Sequence, residues 1–384
     1  MKRTLIPIAL LVLGLSVLAG CASQTPKGRA NAVAAPQAPA SKPADVDIAR
    51  LPQVGDYRAA AVSGDYAGYA ALDRFIDRMV SQYGYTREYL NGVFSQARRK
   101  QWTIEYMNRQ APSGPSTPGV VSKPSPGGWS RYRAKFLDEQ HIGKGAAFWA
   151  QHADALQRAS ERYGVPPEYI MGIMGVETIF GANVGKDRVL DALTTLAFDY
   201  PRRAEYFTEE LANFLVMTRK EGLDPAQPQG SFAGAMGLGQ FMPGSFLRFA
   251  VDFDGDGRCN LWSPQDAIGS IANYFSAHGW RPAEPVVTPA VTSKAIVDSM
   301  EYGFDTRYSL STLTQAGVQP LQSCPVEDVR LLRLSTHSGT EYWLGHQNFY
   351  VLTRYNNSTH YAMAVHQLAQ AIKERYKGVM VGQR

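Results

Sequence analysis

The chain has little cysteine, little net charge and no internal repeat. Only three cysteines occur in 384 residues, so no more than one disulfide bridge can form within the chain. Lysine and arginine exceed aspartate and glutamate by five, and by three when Lys2 and Arg3 are left out. This mild excess is compatible with an anionic polymer as partner, but it does not indicate a nucleic-acid partner.

The first 20 residues have the pattern of a signal peptide. Lys2 and Arg3 precede the apolar stretch Leu5 to Leu18, which is short for a membrane span. The small residues before Cys21 resemble a bacterial lipobox, which predicts a signal peptide over 1–20 and lipidation of Cys21. An ordinary signal peptide and an uncleaved signal anchor are the alternatives. Ala22 follows the cysteine where inner-membrane lipoproteins carry Asp, so the resemblance implies an outer-membrane anchor facing the periplasm.

Residues 21–60 are rich in alanine and proline and contain few large apolar side chains. Such a segment cannot offset its ordering entropy by burial, so we expect a flexible tether. With Cys21 lipidated, Cys259 and Cys324 are left, and the periplasm permits a disulfide between them. The sequence leaves open whether that bridge forms.

The remaining 320 or so residues are long enough for a sizeable core and predict a mainly α (α+β) fold. Helical spacing of apolar residues predicts helices at 66–81, 86–96, 148–163, 204–222, 266–278 and 361–376. Residues 111–128 predict a long loop. Short strands are predicted at 286–287, 326–334 and 350–353.

A further helix is predicted to begin at Pro166–Glu168, because proline and an acidic residue favour the first turn. Ile170, Ile173 and Met174 define its inward stripe, and the next position on that stripe is Glu177. Burial disfavours the ionised carboxyl and raises its pKa, as a general acid at neutral pH requires. The alternative is a structural glutamate paired with an arginine.

A segment of small residues, 230–243, surrounds the amide of Gln240. Glycine and alanine let a backbone approach a ligand closely, and an amide can donate to and accept from a sugar. Tight helix packing explains the same composition equally well. The helix and this segment contain no obvious second acid beside Glu177.

These features together resemble the lytic murein transglycosylase B family from about residue 60 to the C-terminus. The motifs are Glu177-Thr178, Gly185-Lys186, Asp191-Ala192-Leu193, Tyr200-Pro201-Arg202-Arg203, the Gln240 segment and Ala277-His278-Gly279-Trp280. The resemblance implies a lysozyme-like core flanked by helical and β parts. The expected domains are helical 61–160, the catalytic core 161–284, a small β-rich subdomain 285–358 and a C-terminal helix 359–384.

The resemblance also implies a reaction on peptidoglycan. The β-1,4 bond between N-acetylmuramic acid and N-acetylglucosamine is broken without water, and the muramyl C6 hydroxyl closes on C1 to give a 1,6-anhydro end. One carboxyl, Glu177, acts first as acid and then as base. The implied sugar-site residues are Tyr132, Ser231, Gln240, Tyr274, Tyr355 and Asn356, and Arg202 and Arg203 are implied to meet the peptide stem.

Residues 252–258 reproduce the first half of an EF-hand calcium loop, with carboxylates at places 1, 3 and 5 and glycine at 6. Ser263 stands where the usual glutamate closes the loop. The resemblance implies a structural Ca²⁺ ion held by Asp252, Asp254, Asp256, Arg258 and Asp266, and no organic cofactor. A solvated acidic turn without metal is the alternative.

Three other functions compete with this interpretation. A hydrolytic muramidase would use the same acid, and a non-catalytic wall-binding lipoprotein would only hold glycan. A calcium sensor is disfavoured because the sequence lacks paired EF-hands. We expect a monomer whose partners are glycan strands, the lipid anchor and, by resemblance, cell-wall synthesis proteins.

Overall fold

The computed structural model describes residues 47–110, 126–293 and 295–382, which contain 14 α-helices and seven strands. The predicted signal peptide, the lipidation site Cys21 and the tether before residue 47 lie outside these ranges. The first seven helices are α1 (Ala70–Tyr83), α2 (Arg87–Ser95), α3 (Gln101–Gln110), α4 (Gly128–Arg133), α5 (Glu139–Gln151), α6 (Ala153–Tyr163) and α7 (Pro167–Thr178). The next seven are α8 (Val189–Asp199), α9 (Ala204–Lys220), α10 (Pro243–Phe249), α11 (Pro264–Ala277), α12 (Leu310–Gln315), α13 (Gln347–Tyr355) and α14 (Thr359–Gly382).

The strands form two antiparallel sheets. A small one pairs β1 (Asp187–Arg188) with β2 (Gln229–Gly230). The larger one has the order β4-β6-β7-β3-β5 and is built from β3 (Val287–Thr292), β4 (Tyr308–Ser309), β5 (Val318–Pro320), β6 (Asp328–Ser335) and β7 (Thr340–Gly345). The predominance of helices over these short strands confirms the mainly α fold class.

Strand β6 separates two apolar clusters. Leu332 and Leu334 pack into the main core shared with the helices, whereas Val329 and Leu331 pack into a smaller cluster on the other side of the sheet. Successive side chains of a strand point to opposite faces, so alternate residues reach different clusters. The sheet is therefore attached to the helical body through one face only.

Helices α7 and α14 pack closely along their length. A Cβ atom on Gly172 would lie 2.7 Å from the carbonyl oxygen of Val365, so glycine is needed for this approach. Glu168 at the start of α7 pairs with Lys373 of α14, with 2.6 Å between Oε1 and Nζ. These contacts fix the C-terminal helix against the helix that carries Glu177.

Most predicted helices are found near their expected positions, with two corrections. The helix expected over 148–163 is interrupted at His152, where φ is −118° and ψ is 25°, and so divides into α5 and α6. The strand expected at 350–353 is wrong, because these residues lie within α13. A short apolar run with β-branched and aromatic residues does not by itself distinguish a strand from a buried helix.

The described part of the predicted tether, residues 47–60, is attached to the helical body. The Arg219 guanidinium is buried and donates from Nη2 to the carbonyl oxygen of Ala49 at 3.0 Å and from Nε to that of Leu51 at 2.8 Å. Tyr57 donates to Asp224 at 2.6 Å. The expectation of a flexible tether is thus corrected for 47–60, because a buried arginine requires acceptors and these backbone carbonyls supply them.

Candidate active site

Glu177 lies in the last turn of α7, where the helix meets the core. Proline at Pro166 and Pro167 begins the helix, and Ile179 ends it in the left-handed region at φ 52°. The Glu177 side chain is partly exposed, and its Oε1 atom accepts a hydrogen bond from the Tyr361 hydroxyl at 2.6 Å. One oxygen of the Glu177 carboxyl is therefore held by the protein, and the side chain is still partly open to solvent.

Burial raises the pKa of the Glu177 carboxyl to about 7, and the hydrogen bond from Tyr361 opposes that rise. Protein atoms that replace water around the carboxyl disfavour its charged form, even though part of the side chain meets solvent. A carboxyl with a pKa near 7 is protonated in an appreciable fraction at neutral pH. It can therefore both donate and accept a proton under these conditions.

Three tyrosines surround this carboxyl. Burial, and then the charge of Glu177, raise the pKa values of Tyr132, Tyr355 and Tyr361, so all three phenols stay neutral. Tyr355 donates to the carbonyl oxygen of Gly239 at 2.5 Å. The Tyr132 hydroxyl is buried and has no hydrogen-bond partner among the described residues. Of the predicted sugar-site residues, Tyr132 and Tyr355 are thus brought close to Glu177.

Tyr361 was not among the predicted site residues. It is fully buried on α14 and lies 184 residues from Glu177 in the sequence. In the sequence it is only the first apolar residue of a predicted amphipathic helix, a pattern that indicates core. No signal in the sequence reveals that the hydroxyl meets the carboxyl of Glu177.

The Gln240 segment is attached directly to the end of α7. Thr178, the neighbour of Glu177, donates from Oγ1 to the carbonyl oxygen of Leu238 at 2.9 Å. Gln240 itself adopts a positive φ of 52°, and its Nε2 atom donates to the carbonyl oxygens of Val184 and Gly237 at 3.2 and 3.0 Å. Gln240 thus combines a strained backbone conformation with a side-chain amide whose Nε2 atom is anchored twice, which leaves its Oε1 atom to accept from a ligand.

The other predicted sugar-site residues differ in what their polar atoms contact. Ser231 is buried, and its Oγ atom accepts from the backbone nitrogens of Ala233 and Ala235 at 3.3 and 3.0 Å, which shapes the loop. Tyr274 donates to the carbonyl oxygen of Arg354 at 2.6 Å. Asn356 is buried, and its Oδ1 atom has no partner among the described residues, so it can accept from a bound ligand.

Arg202 and Arg203 form a short 3-10 helix with Pro201 at the start of α9. Arg202 is exposed, and the guanidinium of Arg203 lies 4.3 Å from the ring centre of Tyr206. Their contact with a peptide stem stays a prediction.

The acidic loop after α10 gathers three of the predicted calcium ligands. Carboxylate oxygens of Asp252, Asp254 and Asp266 lie within 4.8 Å of one another. Asp266 is buried, and burial together with the nearby charge of Asp254 raises its pKa, although backbone hydrogen bonds oppose this. Converging carboxylates, one of them buried, fit a hard divalent cation that would offset their repulsion. The carboxylate of Asp256 instead accepts from the backbone nitrogen of Arg258 at 2.9 Å and does not belong to this group.

The two remaining thiols, Cys259 and Cys324, are both free. Cys324 packs against the smaller apolar cluster of the sheet, whereas Cys259 packs against the main core. The bridge that the sequence left open is therefore not formed in this structure. No helix of the described residues is long and apolar enough to cross a membrane.

Comparison with known proteins adds information about the family and the fold of this chain. The sequence profile of the transglycosylase SLT domain family matches residues 67–370. The chain is 51% identical over 312 residues to the membrane-bound lytic murein transglycosylase B of Escherichia coli K12, covering 81% of this chain and 85% of that protein.

Solved structures of relatives are also similar. The Escherichia coli lytic transglycosylase SLT35, in complexes with bulgecin A and with calcium, matches at 48% identity and a TM-score of 0.76, over 82% of this chain and 96% of that chain. The SltB3 protein of Pseudomonas aeruginosa, in complex with NAG-anhNAM-pentapeptide, matches at 30% identity and a TM-score of 0.67 over 78% of each chain. The lysozyme-like fold expected from the sequence is thereby confirmed, and the chain belongs to the SLT-domain family of lytic murein transglycosylases.

Proposed function

We propose that this chain is a lytic transglycosylase that cleaves the glycan strands of peptidoglycan during cell-wall turnover. It breaks the β-1,4 bond between N-acetylmuramic acid and N-acetylglucosamine and leaves a 1,6-anhydro-N-acetylmuramic end. Glu177 carries this proposal, because it is a partly exposed carboxyl with a pKa of about 7 held at one edge by Tyr361. The relatives named above are lytic transglycosylases, which disfavours the hydrolytic and the non-catalytic alternatives.

The first step is proton donation. Tyr361 occupies Oε1 of Glu177, so we assign Oε2 to the glycosidic oxygen. The protonated carboxyl donates to that oxygen as the bond to C1 breaks, and the N-acetylglucosamine leaves with a new 4-hydroxyl group. The positive charge that develops at C1 is stabilised by the acetamido group of the substrate.

The second step reverses the role of the same group. The Glu177 carboxylate accepts the proton of the muramyl C6 hydroxyl while the C6 oxygen bonds to C1. This closes the 1,6-anhydro ring and restores the protonated Glu177 carboxyl. Most glycosidases use two carboxylates at a defined separation. Burial raises the pKa of Glu177 and the Tyr361 hydroxyl lowers it, and no second carboxylate among the described residues contributes to the shift, which supports a scheme with one carboxylate.

We assign sugar contacts to an unpartnered polar atom, an anchored amide and three aromatic rings. The unpartnered Asn356 Oδ1 atom and the anchored Gln240 amide would bind acetamido or hydroxyl groups, and the aromatic rings of Tyr132, Tyr274 and Tyr355 would pack against sugar rings. Ser231 shapes the loop from within. The exposed Arg202 and the half-buried Arg203 would pair with carboxylates of the peptide stem.

The acidic loop would hold a structural calcium ion through Asp252, Asp254 and Asp266, with the Arg258 carbonyl and Asp256 as the further ligands expected from the EF-hand spacing. One structure of SLT35 is in complex with calcium, which supports the assignment. The ion would neutralise the acidic cluster and fix the segment between α10 and α11. It takes no part in bond cleavage.

We further propose that Cys21 is lipidated and anchors the enzyme in the outer membrane, facing the periplasm. The related Escherichia coli enzyme is described as membrane-bound. Metabolic labelling with a clickable fatty acid tests this assignment. The wild-type protein should be labelled and the Cys21→Ala protein should not.

Product analysis tests the reaction. Purified enzyme is incubated with peptidoglycan sacculi, and the released fragments are measured by mass spectrometry. Anhydro products, lighter by one water than reducing products, are expected from the wild type and absent with Glu177→Gln. Release of reducing products would show a hydrolytic muramidase instead, and unchanged lysis by Glu177→Gln would refute the role of Glu177.

A further inference from the structure

Three aromatic side chains that the proposed reaction does not use form a cluster at helix α3. The rings of Trp102 and Tyr106 are stacked, with 5.0 Å between their centroids and 22° between their planes. Phe232 meets both rings edge-on, at 5.7 Å from Trp102 and 4.8 Å from Tyr106. We call Trp102, Tyr106 and Phe232 the aromatic platform.

The outer ring of this platform faces solvent. Trp102 is 54% exposed, and it is the one aromatic residue among the large exposed hydrophobic side chains of the described ranges. Tyr106 and Phe232 are half-buried, and their rings pack against the Trp102 ring. A tryptophan normally buries most of its ring. An indole that is stacked on one neighbouring ring and still open to solvent is therefore a candidate for binding a ligand.

The platform is attached to the segment that carries Gln240. Phe232 directly follows Ser231 in the segment that carries Gln240. Helix α3 is fixed beside that segment because Lys100 forms an ion pair with Asp187 at 2.8 Å, and Asp187 pairs with Gly230 in the small sheet. A glycan strand bound along the Gln240 segment would therefore pass close to the platform.

We propose that the aromatic platform is an additional subsite that stacks against a pyranose ring of the glycan strand, beyond the sugars that contact Glu177. This subsite rests on the proposed function, because its ligand would be the same glycan polymer. Aromatic faces bind the apolar face of a sugar ring, and polar groups beside the ring bind the hydroxyl groups. Gln101 and Glu105 supply such groups, since both are exposed next to Trp102 and joined by a 2.9 Å hydrogen bond.

A protein partner fits this surface less well. A specific protein interface buries about 800 Å² on each partner. One half-exposed indole provides on the order of 100 Å², which matches a single sugar ring.

Binding measurements in a Glu177→Gln background test the subsite without turnover. Soluble peptide-free glycan oligomers of increasing length are titrated by calorimetry into this parent and into the same protein with Trp102→Ala. Loss of the ring is expected to weaken binding of long oligomers about tenfold and to weaken binding of disaccharides less. The matched control is Leu321→Ala, which removes a side chain that is 62% exposed in the β-rich part, and it should bind all lengths like the parent.

Two further observations complete the test. Trp102→Phe keeps an aromatic face and should recover part of the lost affinity, and the tryptophan fluorescence change on binding long oligomers should be smaller in it than in the parent. Equal binding of all lengths by the parent and Trp102→Ala would overturn the subsite while leaving the proposed reaction intact. An equal loss of affinity for disaccharides and for long oligomers in Trp102→Ala would also overturn it, because an additional subsite affects only the longer ligands. Failure of the parent to bind any glycan would overturn the proposed function and the subsite together.

Discussion

The hydroxyl of Tyr361 should set the pH at which Glu177 changes protonation. Its hydrogen bond at 2.6 Å favours the ionised carboxylate and so lowers the pKa, whereas burial raises the pKa more, and the net value is about 7. Replacing Tyr361 with phenylalanine removes this bond and keeps the ring. The pKa of Glu177 in Tyr361→Phe is therefore expected to rise.

The size of the rise follows from hydrogen-bond energies. A hydrogen bond to a charged group contributes about 1.5 to 3 kcal/mol, and one pKa unit corresponds to about 1.4 kcal/mol. Because Glu177 is partly exposed, water can replace some of the lost stabilisation. We therefore expect the lower end of this range, a rise of about one pKa unit.

The assay is the pH dependence of kcat/KM for release of anhydro fragments from sacculi. The first step requires protonated Glu177, so activity should fall on the alkaline side near pH 7 in the wild type and about one unit higher in Tyr361→Phe. The plateau should also be lower, since the carboxyl loses a contact that orients it. Tyr355→Phe is the control, because that hydroxyl donates to the Gly239 carbonyl oxygen and not to the carboxyl. An alkaline limb at the same or a lower pH in Tyr361→Phe would refute this account of the site.

Three further predictions concern stability. The folded-state pKa of Glu177 lies above its usual value, so its ionisation destabilises the fold as the pH rises from about 4.5 to 7. Glu177→Gln should therefore be about 1 to 3 kcal/mol more stable than wild type at pH 8 but not at pH 4. Thermal melts across this pH range check the sign, and a stability difference that is the same at every pH contradicts the prediction. Calcium at about 100 times its Kd should stabilise the wild type by about 2.7 kcal/mol. Asp254→Asn, a substitution at an exposed residue of the acidic loop, should lose most of this stabilisation. An equal calcium response in the two proteins would argue against the site. Gly172→Ala should lower the free energy of unfolding in urea by about 1 to 3 kcal/mol, because its Cβ would lie 2.7 Å from the Val365 carbonyl oxygen. The control Gly378→Ala, whose Cβ would meet open space on α14, should not lower it. Equal effects of the two changes would count against the close packing of α7 and α14.

Local features of this protein were predictable because they depend on short spacings. Helix α7 follows from proline at its start and from apolar residues three and four apart, and the same spacing places Glu177 on the inward stripe. The acidic loop follows from three carboxylates two residues apart and a glycine. Where local patterns are ambiguous the prediction was wrong, as for residues 350–353, whose buried run fits a strand and forms part of α13.

The sequence by itself determined which carboxyl is unusual, that a lysozyme-like family is involved and where the acidic loop lies. Only the tertiary structure decided what surrounds them. The hydrogen bond from Tyr361, the attachment of residues 49–51 to Arg219 and the aromatic platform each join segments more than 100 residues apart. Such contacts depend on how whole helices pack and which polar groups that packing buries, and no local spacing records them. For the same reason Glu177 was recognisable as an acid from its helix, but its pKa of about 7 emerged only from the protein packed around it.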